Sequence, residues 1–198
     1  MQLYEYQDQA RRTAKQLSPP EAYDHMAMGV SSDFGELISI VKAITVYGKK
    51  MDAVYDSKLP KKGSTRDKIL EEAGDVCWFI AYGCDLIGAQ FQQVVSYPLA
   101  DPVFMSVYHM ADGIEYWAKA GATVTGQINS LVLMGTVAPA AVQTSLLSEF
   151  AKLYACVGNI TTKSGWDISD VLKFNIAKLR LRYPDKYSDL DALERKDV

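Results

Sequence analysis

The sequence predicts an all-α protein, and three observations carry that reading. Apolar residues recur at the three-to-four spacing of a helix face through most of the chain, and the alternation of a strand is hardly seen. Short stretches rich in breakers, "SPP", "YPLADP" and "SGWD", separate the periodic segments. The composition is that of an ordinary globular protein, with 48% hydrophobic residues in a chain of 198, enough for the core of a single domain over 1–198.

The elements follow in order. A first helix is predicted over about residues 2–17, ended by "SPP". A second covers about 21–49 and contains "DFGELISIVKAITVYGKK". The linker "YDSKLPKKGSTRD" carries Pro, Gly and the cations Lys58, Lys61, Lys62 and Arg66. Ser64 or Thr65 then caps a third helix that runs to about residue 95. A fourth is expected over about 102–121. The stretch "GATVTGQINSLVLMGTVAPAA" reads as a short helix between loops. A fifth helix covers about 139–163 and a sixth about 167–183, stopped by Pro184. The polar tail "DKYSDLDALERKDV" is expected to fray.

Several function classes are excluded or disfavoured at this level. A net charge of −3 gives no basic face for nucleic acid. No run approaches the roughly 18 apolar residues of a membrane span, and the N-terminus is too polar for a signal peptide. Cys77, Cys84 and Cys156 are odd in number and lie in apolar segments, as expected of reduced thiols in a cytoplasmic protein. Superposing 33–95 on 110–172 brings Lys42 onto Lys119, Glu72 onto Glu149 and Gly88 onto Gly165, a weak internal duplication. In that register the acids are lost from the second copy, where Met110, Gly113 and Lys152 stand for Asp33, Glu36 and Asp75.

The chemistry-bearing feature is two pairs of carboxylates. Asp33 and Glu36 are three residues apart on the second predicted helix, and Glu72 and Asp75 on the third. Residues at i and i+3 share a helix face. Asp33 falls amid Leu37, Ile40, Val41 and Ile44, and Glu36 lies at the edge of that stripe. Glu72 and Asp75 align with Phe79, Gly83 and Leu86. The acids therefore sit on or beside faces that should pack. Ionised carboxylates there cost several kcal/mol unless compensated. Divalent cations remove the cost, and all-oxygen ligands favour Mg²⁺ or Mn²⁺. His25 and His109 lack the Glu-x-x-His spacing of a di-iron bundle and are read as surface residues. Two such acids on one helix are ordinarily a solvated face or a match to the helix dipole. Two pairs on two apolar faces are not.

With both pairs in view the chain resembles the MazG-like, all-α nucleoside triphosphate pyrophosphohydrolases. "DFGEL" is similar to their E-x-G-E-L, "EEAGDVCWFIA" to their EELGDVLWYLA, and "NIAKLRLRYPDKY" to their closing N-x-x-K-L-x-x-R-Y-P. "YQDQARRTA" and "GVSSDFGEL" resemble the usual lead-in, and the four matches come in the family's order. Asp33 stands where Glu is usual, the linker is long, and an insertion at about 97–145 is read as an added helical hairpin, as in the larger dimeric dUTPase relatives.

The resemblance implies metal-dependent hydrolysis of a (deoxy)nucleoside triphosphate to monophosphate and pyrophosphate. It implies two or three Mg²⁺ ions (Mn²⁺ substituting) on Asp33, Glu36, Glu72 and Asp75. Glu36, Glu72 and Asp75 are the catalytic candidates. Lys42, Asn175 and Lys178 are the substrate-binding candidates, with Arg182 and Tyr183 beside them. Trp78 and Phe79 read as core, either one able to stack on a base. A homodimer or homotetramer in the cytoplasm is expected. Base preference is open, with dGTP suggested by phage-type members. A non-catalytic helical scaffold, or an enzyme acting on dUTP, a phosphoribosyl nucleotide or an alarmone, are the alternatives.

Overall fold

Two of the long helices begin where serine can cap them. Ser64 Oγ accepts from the Asp67 amide at 3.1 Å, and the Asp67 carboxylate accepts from the Ser64 amide at 2.9 Å, a reciprocal box that satisfies two end donors. Ser18 and Glu21 make a similar box, with Pro19 at the first helical position, where its missing N–H costs nothing. The computed structural model describes residues 1–54, 63–99, 113–134 and 139–194, with the side chains of 139–141 excepted. The helices are α1 (Leu3–Arg12), α2 (Pro19–Thr45), α3 (Thr65–Leu86), α4 (Phe91–Val95), α5 (Ile114–Met134), α6 (Pro139–Lys163), α7 (Ile168–Arg182) and α8 (Asp189–Glu194). Among the described residues there is no strand, and no helix is long and apolar enough to cross a membrane.

The all-α prediction holds, with five corrections to its elements. The first helix stops at Arg12 rather than near 17. The third helix stops at Leu86 rather than near 95. Gly88 takes φ of 68°, and the amide of Ala89 closes back on the Cys84 carbonyl at 2.8 Å, a glycine-terminated end. Residues 91–95 form the separate helix α4. The ambiguous stretch after Gly121 is helical to Met134. The tail holds a short helix, α8, capped by Ser188 Oγ, which accepts from the Asp191 amide. The linker cations Lys58, Lys61 and Lys62, the start of the expected fourth helix, and His109 lie outside the described residues.

Four helices form the centre. α2 packs along both α3 and α5, α5 along α6, and α3 along α6. At two of these helix contacts a glycine faces a phenyl ring. A Cβ built on Gly83 would stand 2.4 Å from Phe150, and one on Gly121 would stand 2.0 Å from Phe34. Both rings are fully buried. α1 and α7 lie against the other side of α3. Gln7 ties α1 to the end of α3, donating to Asp85 at 2.8 Å and accepting from the Phe91 amide at 2.7 Å. The duplication register survives in one helix. Leu146, Phe150, Leu153 and Val157 of α6 are buried like Ile69, Ala73, Val76 and Ile80 of α3. It fails in the other, because α5 begins at Ile114, which corresponds to Leu37 in the middle of α2.

Gly83→Ala tests this packing. Alanine is the better helix former by about 1 kcal/mol. Phe150 cannot retreat from a buried position, so overpacking should dominate at about 1–3 kcal/mol. Urea unfolding should show a lower midpoint. An unchanged or higher midpoint would mean the two helices are not in contact at this point.

Candidate active site: a carboxylate cleft between α2, α3 and the C-terminal segment

The spacing argument put two acid pairs on inward faces of two helices, and α2 and α3 pack side by side. Their acids meet in one cleft of about 880 Å³, lined by Asp33 and Glu36 from α2 and by Glu71, Glu72 and Asp75 from α3. Glu71 belongs to neither predicted pair. It lines the cleft beside Glu72, and Lys68 Nζ lies 2.8 Å from it.

The cleft's electrostatics follow from burial. Burial, with the charges of Asp75 and Glu36 adding, pushes the Asp33 carboxyl up to about 6, against a bond from the Ser32 hydroxyl. Burial raises Glu72 to about 7 even though Lys68 Nζ sits 2.6 Å away, and Glu36 and Asp75 push the same way. Burial also raises Asp75, opposed by Lys178. Lys68 loses solvation too, and Glu71 and Glu72 more than offset that loss.

Asp75 is held from behind by a chain of bonds. Lys178 Nζ donates to both carboxylate oxygens at 2.6 and 2.5 Å, and Asn175 Nδ2 donates to one at 2.9 Å. Asn175 in turn accepts from the Tyr6 hydroxyl at 3.1 Å. Asn175 reaches this position because residue 74 is glycine: a Cβ there would stand 2.8 Å from the Asn175 Cβ. Asn175 is fully buried and Lys178 nearly so, and neither lines the cleft. Geometrically they position Asp75. The cations that line the cleft are Lys15, Lys68 and Arg182.

Lys42 is exposed and does not line the cleft. Six residues beyond Glu36 is a rotation of about 240° and a rise of about 9 Å, onto another face. Arg66 of the basic linker pairs with Asp52 at 3.2 Å, and its carbonyl accepts from the Trp166 indole. Lys68, Tyr6, Lys15 and His25 were missed. For Lys68 the signal existed, since it precedes Glu71 and Glu72 by three and four residues. Tyr6 and Lys15 act across long sequence separations that no local pattern reveals. His25, expected at the surface, is half-buried in the cleft wall against Trp78, Phe79 and Tyr82.

The donor set suits a hard divalent cation, since every donor is a carboxylate oxygen, and a cation bound there would have to displace the protons that Asp33 and Glu72 hold near pH 6–7. As the side chains stand, no three acidic, His or Cys groups among the described residues converge into a metal cage. Lys68 and Lys178 lie against Glu72 and Asp75 instead. Compared with known proteins, the chain matches no family model, and no curated protein and no solved structure matches it.

The raised carboxyls make a stability prediction. Their folded pKa values exceed those of the unfolded chain, so the fold binds more protons between about pH 4 and 7 and loses stability as pH rises through that window. Asp33→Asn removes a charge that burial disfavours. Its melting temperature should exceed that of the parent at pH 7.5 by on the order of 2–4 °C, with the gain shrinking as pH falls and vanishing below about pH 4. A variant that is less stable at pH 7.5 would show that Asp33 is paired rather than repelled.

Proposed function

We propose that this chain is a metal-dependent nucleoside triphosphate pyrophosphohydrolase of the MazG-like, all-α kind, cleaving the α–β phosphoanhydride to a monophosphate and pyrophosphate. The observation that carries the reading is the meeting of both carboxylate pairs in one cleft that also holds Lys68 and Arg182. Asp33, Glu36, Glu72 and Asp75 would hold Mg²⁺, or Mn²⁺ in its stead. Bound cations would neutralise the triphosphate and lower the pKa of the attacking water.

The protein's own groups have separable tasks in this proposal. Lys68, which lines the cleft, turns from Glu72 to phosphate oxygens once cations balance that acid. Arg182 serves the same charge. Lys178 and Asn175 fix the direction of Asp75. Glu36, the exposed member of the four acids, is the one that water reaches, and it takes the water's proton. A homodimer or homotetramer stays part of the proposal, supported by the exposed apolar side chains of Tyr4, Phe174 and Leu181 on α1 and α7.

One observation favours the scaffold alternative. Glu72 and Asp75 already have lysine partners, so an ion-pair network could hold α3 without a cation. The raised carboxyl of Asp33 weighs against it, since a network built for stability would not leave that acid repelled.

Pyrophosphate release from a panel of nucleoside triphosphates, including dUTP and dGTP, decides between the readings. With Mg²⁺ at least one nucleotide should be cleaved, and EDTA should abolish cleavage. Glu72→Gln should lower kcat by roughly a hundredfold or more. Light scattering on the same preparation should report more than a monomer. No release from any nucleotide, together with no Mg²⁺-dependent rise in melting temperature, would leave only the scaffold.

A further inference from the structure

Asp75 is not held symmetrically. Lys178 Nζ straddles its two carboxylate oxygens at 2.6 and 2.5 Å, and Asn175 Nδ2 bonds to Oδ1 alone at 2.9 Å. A cation lying between both oxygens fixes the direction of a carboxylate but leaves it free to turn about that axis. The bond from Asn175 removes this freedom, because it pins one oxygen of the two.

Asn175 can do this only with the right end of its amide towards Asp75. The two ends are nearly the same size, but one donates and the other only accepts. Half a turn about the last side-chain bond exchanges them within the same space. Acceptor would then face acceptor. The amide has no room to back away instead, since it lies against α3 at Gly74, where a Cβ would stand 2.8 Å from the Asn175 Cβ and 3.1 Å from Nδ2.

Tyr6 settles the orientation from the other side. Its hydroxyl donates to Asn175 Oδ1 at 3.1 Å, so the acceptor end is claimed and the donor end is left for Asp75. The Gly74 carbonyl is a second acceptor for that hydroxyl, at 3.5 Å, and the weaker of the two. Burial, with Cys77, Asp75 and Tyr154 adding, holds the Tyr6 pKa well above its ordinary value, so the phenol keeps the proton it donates. Tyr6 and Asn175 are both fully buried, so water does not compete for the amide.

The ring that carries this hydroxyl is placed by other contacts. It packs on Phe91 of α4 with centroids 5.4 Å apart, and Phe91 meets Tyr154 of α6 edge-on at 5.4 Å. Phenylalanine would fill the same space. The hydroxyl alone reaches across to α7.

We propose that Tyr6 is a positioning residue for Asp75: by donating to Asn175 it keeps the amide's donor end on Oδ1, and so fixes the plane in which Asp75 meets a cation in the cleft. This rests on the reading of Asp75 as a cation ligand. Tyr6 does not line the cleft, and its action passes through Asn175.

A double-variant cycle on cation affinity tests that route, with Mn²⁺ alone as the probe and calorimetric titration of the whole chain as the readout. Tyr6→Phe removes the hydroxyl and keeps the ring. It should weaken Mn²⁺ binding by roughly five- to tenfold, the order of one buried hydrogen bond. In an Asn175→Ala background the same change should cost less than about twofold. Gly83→Ala loosens packing elsewhere on α3, and its Mn²⁺ affinity should match the parent's, which separates positioning from a general loss of stability. Unchanged affinity in Tyr6→Phe, or an equal loss in the Asn175→Ala background, overturns the proposal. Mn²⁺ binding that follows the cycle in a chain that cleaves no nucleotide would count against the hydrolase reading and leave Tyr6 in its role.

Discussion

Everything at the centre of this fold depends on keeping carboxylates where apolar side chains would be easier to pack. α2 and α3 pack side by side and carry the fully buried Phe34, Leu37, Val76 and Ile80, and Asp33, Glu72 and Asp75 line a cleft between them. Acids so placed are costly. The chain offsets part of that cost with Lys68 on Glu72 and with Lys178 and Asn175 on Asp75. It leaves the rest uncompensated, as the raised carboxyls of Asp33 and Glu72 record. Shifted carboxyls gathered in a cleft mark a candidate for a working site.

The remaining helices then have distinct duties. α7 exists at the site as the source of Asn175 and Lys178, and α1 braces it through Tyr6. The α5–α6 hairpin buttresses α2 and α3 from the far side, with Phe34 seated on Gly121 and Phe150 on Gly83. The acids are thus carried on helices pinned from two directions. That rigidity is what a preorganised charged site needs. The C-terminal segment is tied back to Arg12 and Lys15, and through Tyr183, Tyr187 and Ala192 it lines the same cleft.

Much of this was legible in the sequence because it is local. A spacing of three within a helix decides which side chains share a face, so the meeting of Asp33, Glu36, Glu72 and Asp75 needed only that α2 pack on α3. The same geometry should have removed Lys42, which is six residues from Glu36 and turns onto another face. Helix ends were harder. The break at Gly88 depends on one residue adopting a left-handed φ, which composition does not announce. The tail read as frayed because its partners, Arg12 and Lys15, lie at the other end of the chain. His25 read as a surface residue for a similar reason: Phe79 and Tyr82, the rings around it, belong to another helix.

The central claim is that the cleft's acids are arranged for divalent cations rather than for the lysines that now meet them. Mn²⁺ titrated into weakly buffered protein at pH 6.5 tests it directly, because binding must expel the protons that Asp33 and Glu72 hold there. With carboxyls at about 6 and about 7, close to one proton per chain should be released. The release should fall sharply in an Asp33→Asn, Glu72→Gln double variant. Cation binding with no proton release, or no binding at millimolar Mn²⁺, would contradict the account.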